Sequence, residues 1–107
     1  ECMDGAGDTP WCLHLSYIKP HWPYLVPAPY HNMYGPQHVQ PVVRSEIEKQ
    51  SPHPVLAAFT NTGFHKRFHT KVRARVIPAY MGLIAQIDDQ IGRLMAWMDE
   101  KQLSQDT

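Results

Sequence analysis

The sequence predicts an α/β fold of which this chain carries one strand, a long proline-rich loop with short helical turns, and one long C-terminal helix. Three features predict it. Residues 11–18 are apolar without a charged face, nine of the ten prolines precede residue 55, and apolar residues recur at three- and four-residue steps after residue 78. A chain of 107 residues holds one domain at most, so we expect residues 1–107 to form a single partial domain.

Residues 11–18 are predicted to form the strand. Its apolar face carries Trp11, Leu13, Leu15 and Tyr17. A strand without a solvent face is usually covered on both sides, as in the middle of a parallel sheet. The remaining sequence offers no second strand of similar quality, because Pro41 interrupts residues 39–43. We therefore expect the neighbouring strands to lie outside this chain.

Residues 19–64 are predicted to be a proline-rich loop, because proline removes a backbone donor and restricts the residue before it. Two short helical turns are expected within it, over residues 45–50 with Ser45 as the cap, and over residues 54–60. Irregular segments of this length are uncommon in compact domains unless they bind or react.

Residues 70–102 are predicted to form the long helix. Pro78 suits a first helical position, or else the helix begins near Thr70 and is kinked at Pro78. Asp89 and Arg93 are four residues apart in the order that favours an exposed pair. The broad apolar face comprises Tyr80, Leu83, Ile84, Ile87, Ile91, Leu94, Met95 and Met98.

Composition excludes several classes of protein. The formal net charge is zero, which argues against a globally basic nucleic-acid binder, and no apolar run approaches the roughly 18 residues of a membrane span. Cys2 and Cys12 are expected to be free thiols in a reducing, cytoplasmic setting. The chain begins at Glu1 without an initiator Met, so we expect it to be a piece of a larger protein.

Two clusters in the second half could bind ligands. His65 and His69 are four apart, but two cations lie between them and no Cys or Glu completes a zinc pattern, so we expect no metal there. Residues 65–75 are basic and without acids, which would suit an anion or a nucleic acid. The simpler interpretation is that these residues form a solvent-exposed segment that leads into the long helix.

The end of the predicted strand is the most informative place in the sequence. Lys19 and His21 follow it directly, and Pro20 and Pro23 flank them. In α/β sheets ligands gather beyond the carboxyl ends of strands, and histidine exchanges protons near neutral pH. A reactive histidine and a surface histidine in a proline-rich turn are equally compatible with these facts.

Two segments, HLSYIKPHWPYLVPAPYHNMY (residues 14–34) and AYMGLIAQIDDQIGRLMAWMDEKQLSQDT (residues 79–107), carry a resemblance that covers nearly the whole chain. The sequence resembles the sulfatase and phosphonate monoester hydrolase family of the alkaline phosphatase superfamily. The shared pattern is a strand, Pro-His-x-Pro, a Tyr-x-x-Met-Tyr stretch and a helix with Ile-Asp-Asp-x-Ile-Gly-Arg. Residues 41–44 and 51–54 look closer to phosphonate monoester hydrolases than to arylsulfatases.

The resemblance implies a slice of an alkaline-phosphatase-like domain that hydrolyses small anionic sulfate, phosphate or phosphonate esters. The family uses a formylglycine, made from Cys or Ser in a Cys-x-Pro-x-Arg pattern, and a divalent metal ion such as calcium or manganese. Neither Cys2 nor Cys12 fits that pattern, and no metal ligand of the family falls within this chain. The fragment alone is therefore expected to be inactive.

By motif match, His21 corresponds to the family's leaving-group-side histidine, and Lys19 is a weaker candidate for contacting the substrate anion. Asp88 and Asp89 do not converge on one ion, because adjacent helical residues point about 100° apart, and we interpret them as structural. Two alternatives stay open. The chain could be a stand-alone anion or nucleic-acid binding module using residues 65–75, or a structural unit that self-associates through exposed apolar surface.

Overall fold

The computed structural model describes residues 5, 9–43, 45–63, 70–105 and 107. Two 3-10 turns, Tyr30–Asn32 and Pro36–His38, are followed by three α-helices: α1 at Glu46–Gln50, α2 at Pro54–Thr60 and α3 at Thr70–Glu100. Both 3-10 turns contact α3, so the loop folds back along the long helix. None of the helices in the described ranges combines the length and the apolar character that a membrane span needs.

Helix α3 has 31 residues and runs through Pro78, so of the two starts that the sequence allowed it adopts the one near Thr70. At 1.5 Å per residue its axis is about 46 Å long. Proline inside a helix removes the hydrogen bond to the carbonyl four residues earlier, here that of Ala74. Pro78 is buried, and packing against the loop offsets part of that loss.

The C-terminal end of α3 is closed by a Schellman motif. Gln102 adopts a φ of 58°, and its N–H donates to the Asp99 carbonyl at 3.0 Å. The Leu103 N–H donates to the Met98 carbonyl at 2.9 Å. These two bonds satisfy carbonyls that the last helical turn leaves without partners. The helix therefore stops at Glu100, two residues before the end predicted from apolar spacing.

The two short helices begin where the sequence indicates. The Ser45 Oγ accepts a hydrogen bond from the Glu48 N–H at 3.1 Å, which caps α1. His53 caps α2, with its Nδ1 accepting from the Val55 N–H at 3.3 Å. Both turns predicted at residues 45–50 and 54–60 are confirmed.

The tightest packing in the described part of the chain lies where the loop crosses the middle of α3. Leu83 is fully buried there, with 0% of its surface exposed, and it follows the buried Gly82. A Cβ placed on Gly82 would lie 2.7 Å from the Tyr30 carbonyl oxygen and 3.0 Å from Val26 Cγ1. The loop backbone thus approaches α3 more closely than any side chain at position 82 would permit.

The strand predicted over residues 11–18 is not formed. Helices and turns are the only regular structure in the described ranges, so the sheet part of the predicted α/β class is absent from them. A strand requires a neighbour that accepts and donates its ladder of hydrogen bonds, and the described residues supply none. All eight residues are exposed, up to 81% for Ile18.

Much apolar surface remains uncovered. The radius of gyration is 20.3 Å, whereas about 13 Å is usual for a compact domain of this length. On α3 the loop covers Leu83 but leaves Ile84, Ile91 and Met95 exposed. Only part of the apolar face that the helical periodicity predicts is therefore buried within the chain.

Replacing Gly82 by alanine is expected to weaken the packing of the loop on α3 by about 1–3 kcal/mol, because the new methyl group must displace the Tyr30 backbone. Gly92 is the matched control, since it lies on the same helix and a Cβ there meets no atom within 4 Å. Gly92→Ala should raise the free energy of unfolding by up to about 1 kcal/mol, because alanine has a higher helix propensity than glycine. Thermal unfolding of both variants measures the difference, and stabilisation by both would contradict the close approach.

Candidate functional site

His21, the candidate reactive group that the sequence indicates, lies on a tight turn that follows residues 11–18. The His21 N–H donates to the Ile18 carbonyl at 3.1 Å, and the Leu25 N–H donates to the Pro23 carbonyl at 2.9 Å. Pro20 and Pro23 restrict the backbone on both sides of the histidine. The turn therefore has few conformations in which to present the imidazole.

The imidazole of His21 is exposed, and a hydrogen bond fixes its tautomer. Its Nδ1 lies 2.7 Å from the Trp22 carbonyl oxygen. A carbonyl can only accept, so Nδ1 carries a proton in this contact, and Nε2 is the nitrogen left to exchange a proton with a ligand. The Trp22 indole lies beside the ring, with centroids 5.5 Å apart and planes tilted by 31°.

Lys19 lies at the start of the same turn and is partly buried. Its Nζ donates to the Pro23 carbonyl at 2.5 Å, a bond that closes the turn around His21. The side chain of Lys19 thus links the start of the turn to the backbone at Pro23. The two residues that the sequence analysis selected are brought together, with His21 presented to solvent and Lys19 engaged by the chain.

The segment after the turn is fastened to α3 by aromatic and polar side chains. The Tyr24 ring meets the Tyr80 ring edge to face at 5.9 Å between centroids. Before the turn, Lys19 lines a surface groove with Gln86 and Gln90 of α3. The Tyr24–Tyr80 contact therefore holds the segment directly after His21 on the long helix.

A longer-range contact joins the first 3-10 turn to the same helix. The Tyr30 hydroxyl donates to Asp89 Oδ2 at 2.8 Å, across 59 positions of sequence. This hydrogen bond to the carboxylate is the main cause that raises the pKa of Tyr30, and partial burial and the negative charge of Asp89 act in the same direction. Asp89 thus has a structural contact, and Arg93, expected to pair with it, donates instead to Gln90 Oε1 at 3.5 Å.

The other candidates give little support for a second site. His65 and His69 lie outside the described residues, as do Lys66 and Arg67 of the basic stretch 65–75. Of its remaining cations, Arg73 donates to the Gln40 carbonyl at 3.4 Å, and Lys71 and Arg75 are exposed. No group of three or more His, Cys, Asp or Glu side chains in the described ranges could hold a metal ion.

Cys12 is a free, exposed thiol, as the sequence analysis predicted, and Cys2 lies outside the described residues. Sequence reasoning missed the contact between Tyr30 and Asp89, because nothing local links residues so far apart. A signal was nevertheless present, since each residue lies in one of the two stretches that carry the family resemblance.

Comparisons with known proteins agree with the resemblance. A family model described as sulfatase matches residues 3–107. The chain is 30% identical over 112 residues to the multifunctional alkaline phosphatase superfamily protein PehA of Trinickia caryophylli, covering 92% of this chain and 22% of that protein. It is 26% identical over 108 residues to the choline-sulfatase of Rhizobium meliloti (strain 1021), covering 97% of this chain and 21% of that protein. The chain thus spans about a fifth of each relative's length.

The contact between Tyr30 and Asp89 predicts a stability loss in alkali. The folded-state pKa of Tyr30 lies above its ordinary value of 10.0. The contact therefore makes its full contribution to the stability of the folded state below pH 10.0. Its contribution falls as the pH rises and is lost once the pH passes the raised folded-state value. We expect Tyr30→Phe to be less stable than wild type near neutral pH and to lose this part of the alkaline decline.

Thermal unfolding of both proteins across the alkaline range measures the difference. Tyr34→Phe is the control, because no hydrogen bond of the Tyr34 hydroxyl is found among the described residues. Parallel declines in wild type and Tyr30→Phe would contradict the prediction.

Proposed function

The chain belongs to the sulfatase family, and on that premise we propose that it forms part of a hydrolase for sulfate, phosphate or phosphonate monoesters, in which His21 acts on the leaving-group side. The observation that carries the proposal is the imidazole on its braced turn, exposed and with Nε2 free of contacts in the described part of the chain. The two relatives, an alkaline phosphatase superfamily protein and a choline-sulfatase, support ester hydrolysis as the class of reaction.

In the proposed step, an entering oxygen that this chain does not supply bonds to the sulfur or phosphorus atom as the bond from that atom to the ester oxygen breaks, and the protonated imidazole donates its Nε2 proton to the departing ester oxygen. The alcohol leaves neutral, and His21 is left as a neutral imidazole with its proton on Nδ1. The Trp22 carbonyl, which accepts from Nδ1 at 2.7 Å, favours this tautomer and orients the ring. Positioned proton transfer of this kind typically contributes about 10²–10⁴ in rate.

Lys19 is proposed to serve the same site by closing the turn, through its 2.5 Å bond to the Pro23 carbonyl. Its ammonium also places a positive charge beside the turn, which favours an approaching anionic ester.

The metal ion and the formylglycine of the family find no suitable residues here. The described residues contain no group of ligands for a metal, and Cys12 is followed by Leu-His-Leu rather than by x-Pro-x-Arg. We therefore derive no step through either group and propose that a longer polypeptide supplies both. There the formylglycine, as a modified residue of that polypeptide, would supply the attacking oxygen, and the metal ion would stabilise the charge of the transferred group. Within the described residues 70–75, no contact favours nucleic-acid binding over this proposal.

His21→Ala in the full-length enzyme is expected to lower turnover by about 10²–10⁴ for esters with poor leaving groups and much less for good ones, because a stable departing anion needs no proton. The measurement is kcat against leaving-group pKa for a series of aryl esters. His14→Ala is the matched control, since His14 is also exposed and lies before the turn. Equal losses across the series would argue against a proton donor.

The purified 107-residue chain is expected to show no ester hydrolysis, because the nucleophile motif lies outside it. We also propose that it self-associates, since apolar side chains such as Ile18 and Val43 are largely exposed, at 81% and 97%. Activity assays with contaminating phosphatases excluded test the first statement, and sedimentation velocity tests the second. Turnover by a pure monomer would overturn both.

A further inference from the structure

We propose that Tyr30 and Asp89 are positioning residues, and that their hydrogen bond holds the His21 turn in its working orientation on α3. The inference rests on the proposed function of His21 and assigns a task to two side chains that touch neither the imidazole nor its turn. The bond joins the loop to the helix at 2.8 Å between Tyr30 Oη and Asp89 Oδ2.

The bond is suited to fixing the loop because its acceptor is a carboxylate. Hydrogen bonds to ionised groups are shorter and about twice as strong as bonds between neutral groups. A second hydrogen bond between the loop and α3, from the Arg73 side chain to the Gln40 carbonyl, is longer at 3.4 Å and lies farther along the chain from His21. Gln90 Nε2 donates to the same Asp89 oxygen at 3.2 Å and orients the carboxylate.

The chain between Tyr30 and His21 has little freedom to absorb a displacement. Three prolines restrict it, at positions 23, 27 and 29. The His31 N–H donates to the Pro27 carbonyl at 3.1 Å, which closes the turn before Tyr30. Val26 contacts the helix at Gly82, and Tyr24 contacts Tyr80. Residues 24–30 therefore lie on α3 as one stiff segment, and we infer that a shift at Tyr30 moves this segment on the helix together with the His21 turn at its start.

The geometry at Gly82 makes the position of Tyr30 specific. The Tyr30 carbonyl oxygen lies close enough to α3 that a Cβ at position 82 would meet it at 2.7 Å. The backbone of Tyr30 is thus seated on the helix while its hydroxyl reaches Asp89, seven residues farther along the same helix. Two contacts on one rigid element fix both the place and the direction of the loop.

The test is a double-mutant cycle in the full-length enzyme. Tyr30→Phe removes only the hydroxyl, and Asp89→Asn keeps the size of the side chain. Each is expected to lower kcat by about 10- to 100-fold for poor leaving groups, with KM little changed, because a misplaced imidazole loses proton transfer but not substrate binding. In the His21→Ala background neither change should lower kcat further.

The control is Tyr34→Phe, which removes a hydroxyl from the same loop and should leave the dependence on leaving group unchanged. Unfolding midpoints verify that each variant is folded at the assay temperature. If Tyr30→Phe costs as much in the His21→Ala background as in wild type, the role is merely structural and the inference is overturned. If His21→Ala itself shows no dependence on leaving group, the proposed function fails first, and the inference falls with it.

Discussion

The seating of one loop on one helix is the contact on which the rest of the structure depends. Gly82 removes the side chain that would keep the Tyr30 backbone away, and Leu83 beside it is the fully buried side chain among the described residues. This close approach brings the Tyr30 side chain within reach of Asp89, to which its hydroxyl donates at 2.8 Å, and it adds to the Tyr24–Tyr80 contact that holds the loop on the helix. The absence of a side chain at Gly82 thus allows the loop that follows His21 to lie close to the helix.

Local and non-local interactions contribute unequally to this structure. Helix α3 satisfies its own backbone over 31 residues, and its last carbonyls are satisfied by the Schellman motif. Residues 11–18 cannot satisfy theirs without a neighbouring strand. Hydrophobic burial is small as well, because Ile84, Ile91 and Met95 stay exposed on a helix that is long enough to cover a sheet. The described residues therefore leave much of the apolar face of α3 uncovered.

The same distinction explains what the sequence could predict. The start of α1 after its Ser45 cap and the extent of α3 follow from a cap and a periodicity that act within four residues, whereas the His53 cap of α2 was not predicted. The end of α3 was placed two residues late, because Gln102 takes the left-handed conformation that glycine would have signalled. The prediction of a strand at residues 11–18 was wrong, because a strand depends on a pairing partner that the local sequence does not specify. The bond between Tyr30 and Asp89 spans 59 positions, and no periodicity reports on such a pair.

Local contacts and contacts with α3 fix different properties of His21. The tautomer and the ring orientation need only the adjacent Trp22 carbonyl, and the turn needs only Lys19 and its prolines, so a short motif encodes them. The direction in which the turn faces is a property of the whole loop, and a short motif cannot set it. Contacts to α3 must do so, and these come from residues 24–30 rather than from the motif itself. A Pro-His-x-Pro sequence alone therefore fixes the conformation of the turn around the histidine but does not fix the direction in which that turn faces.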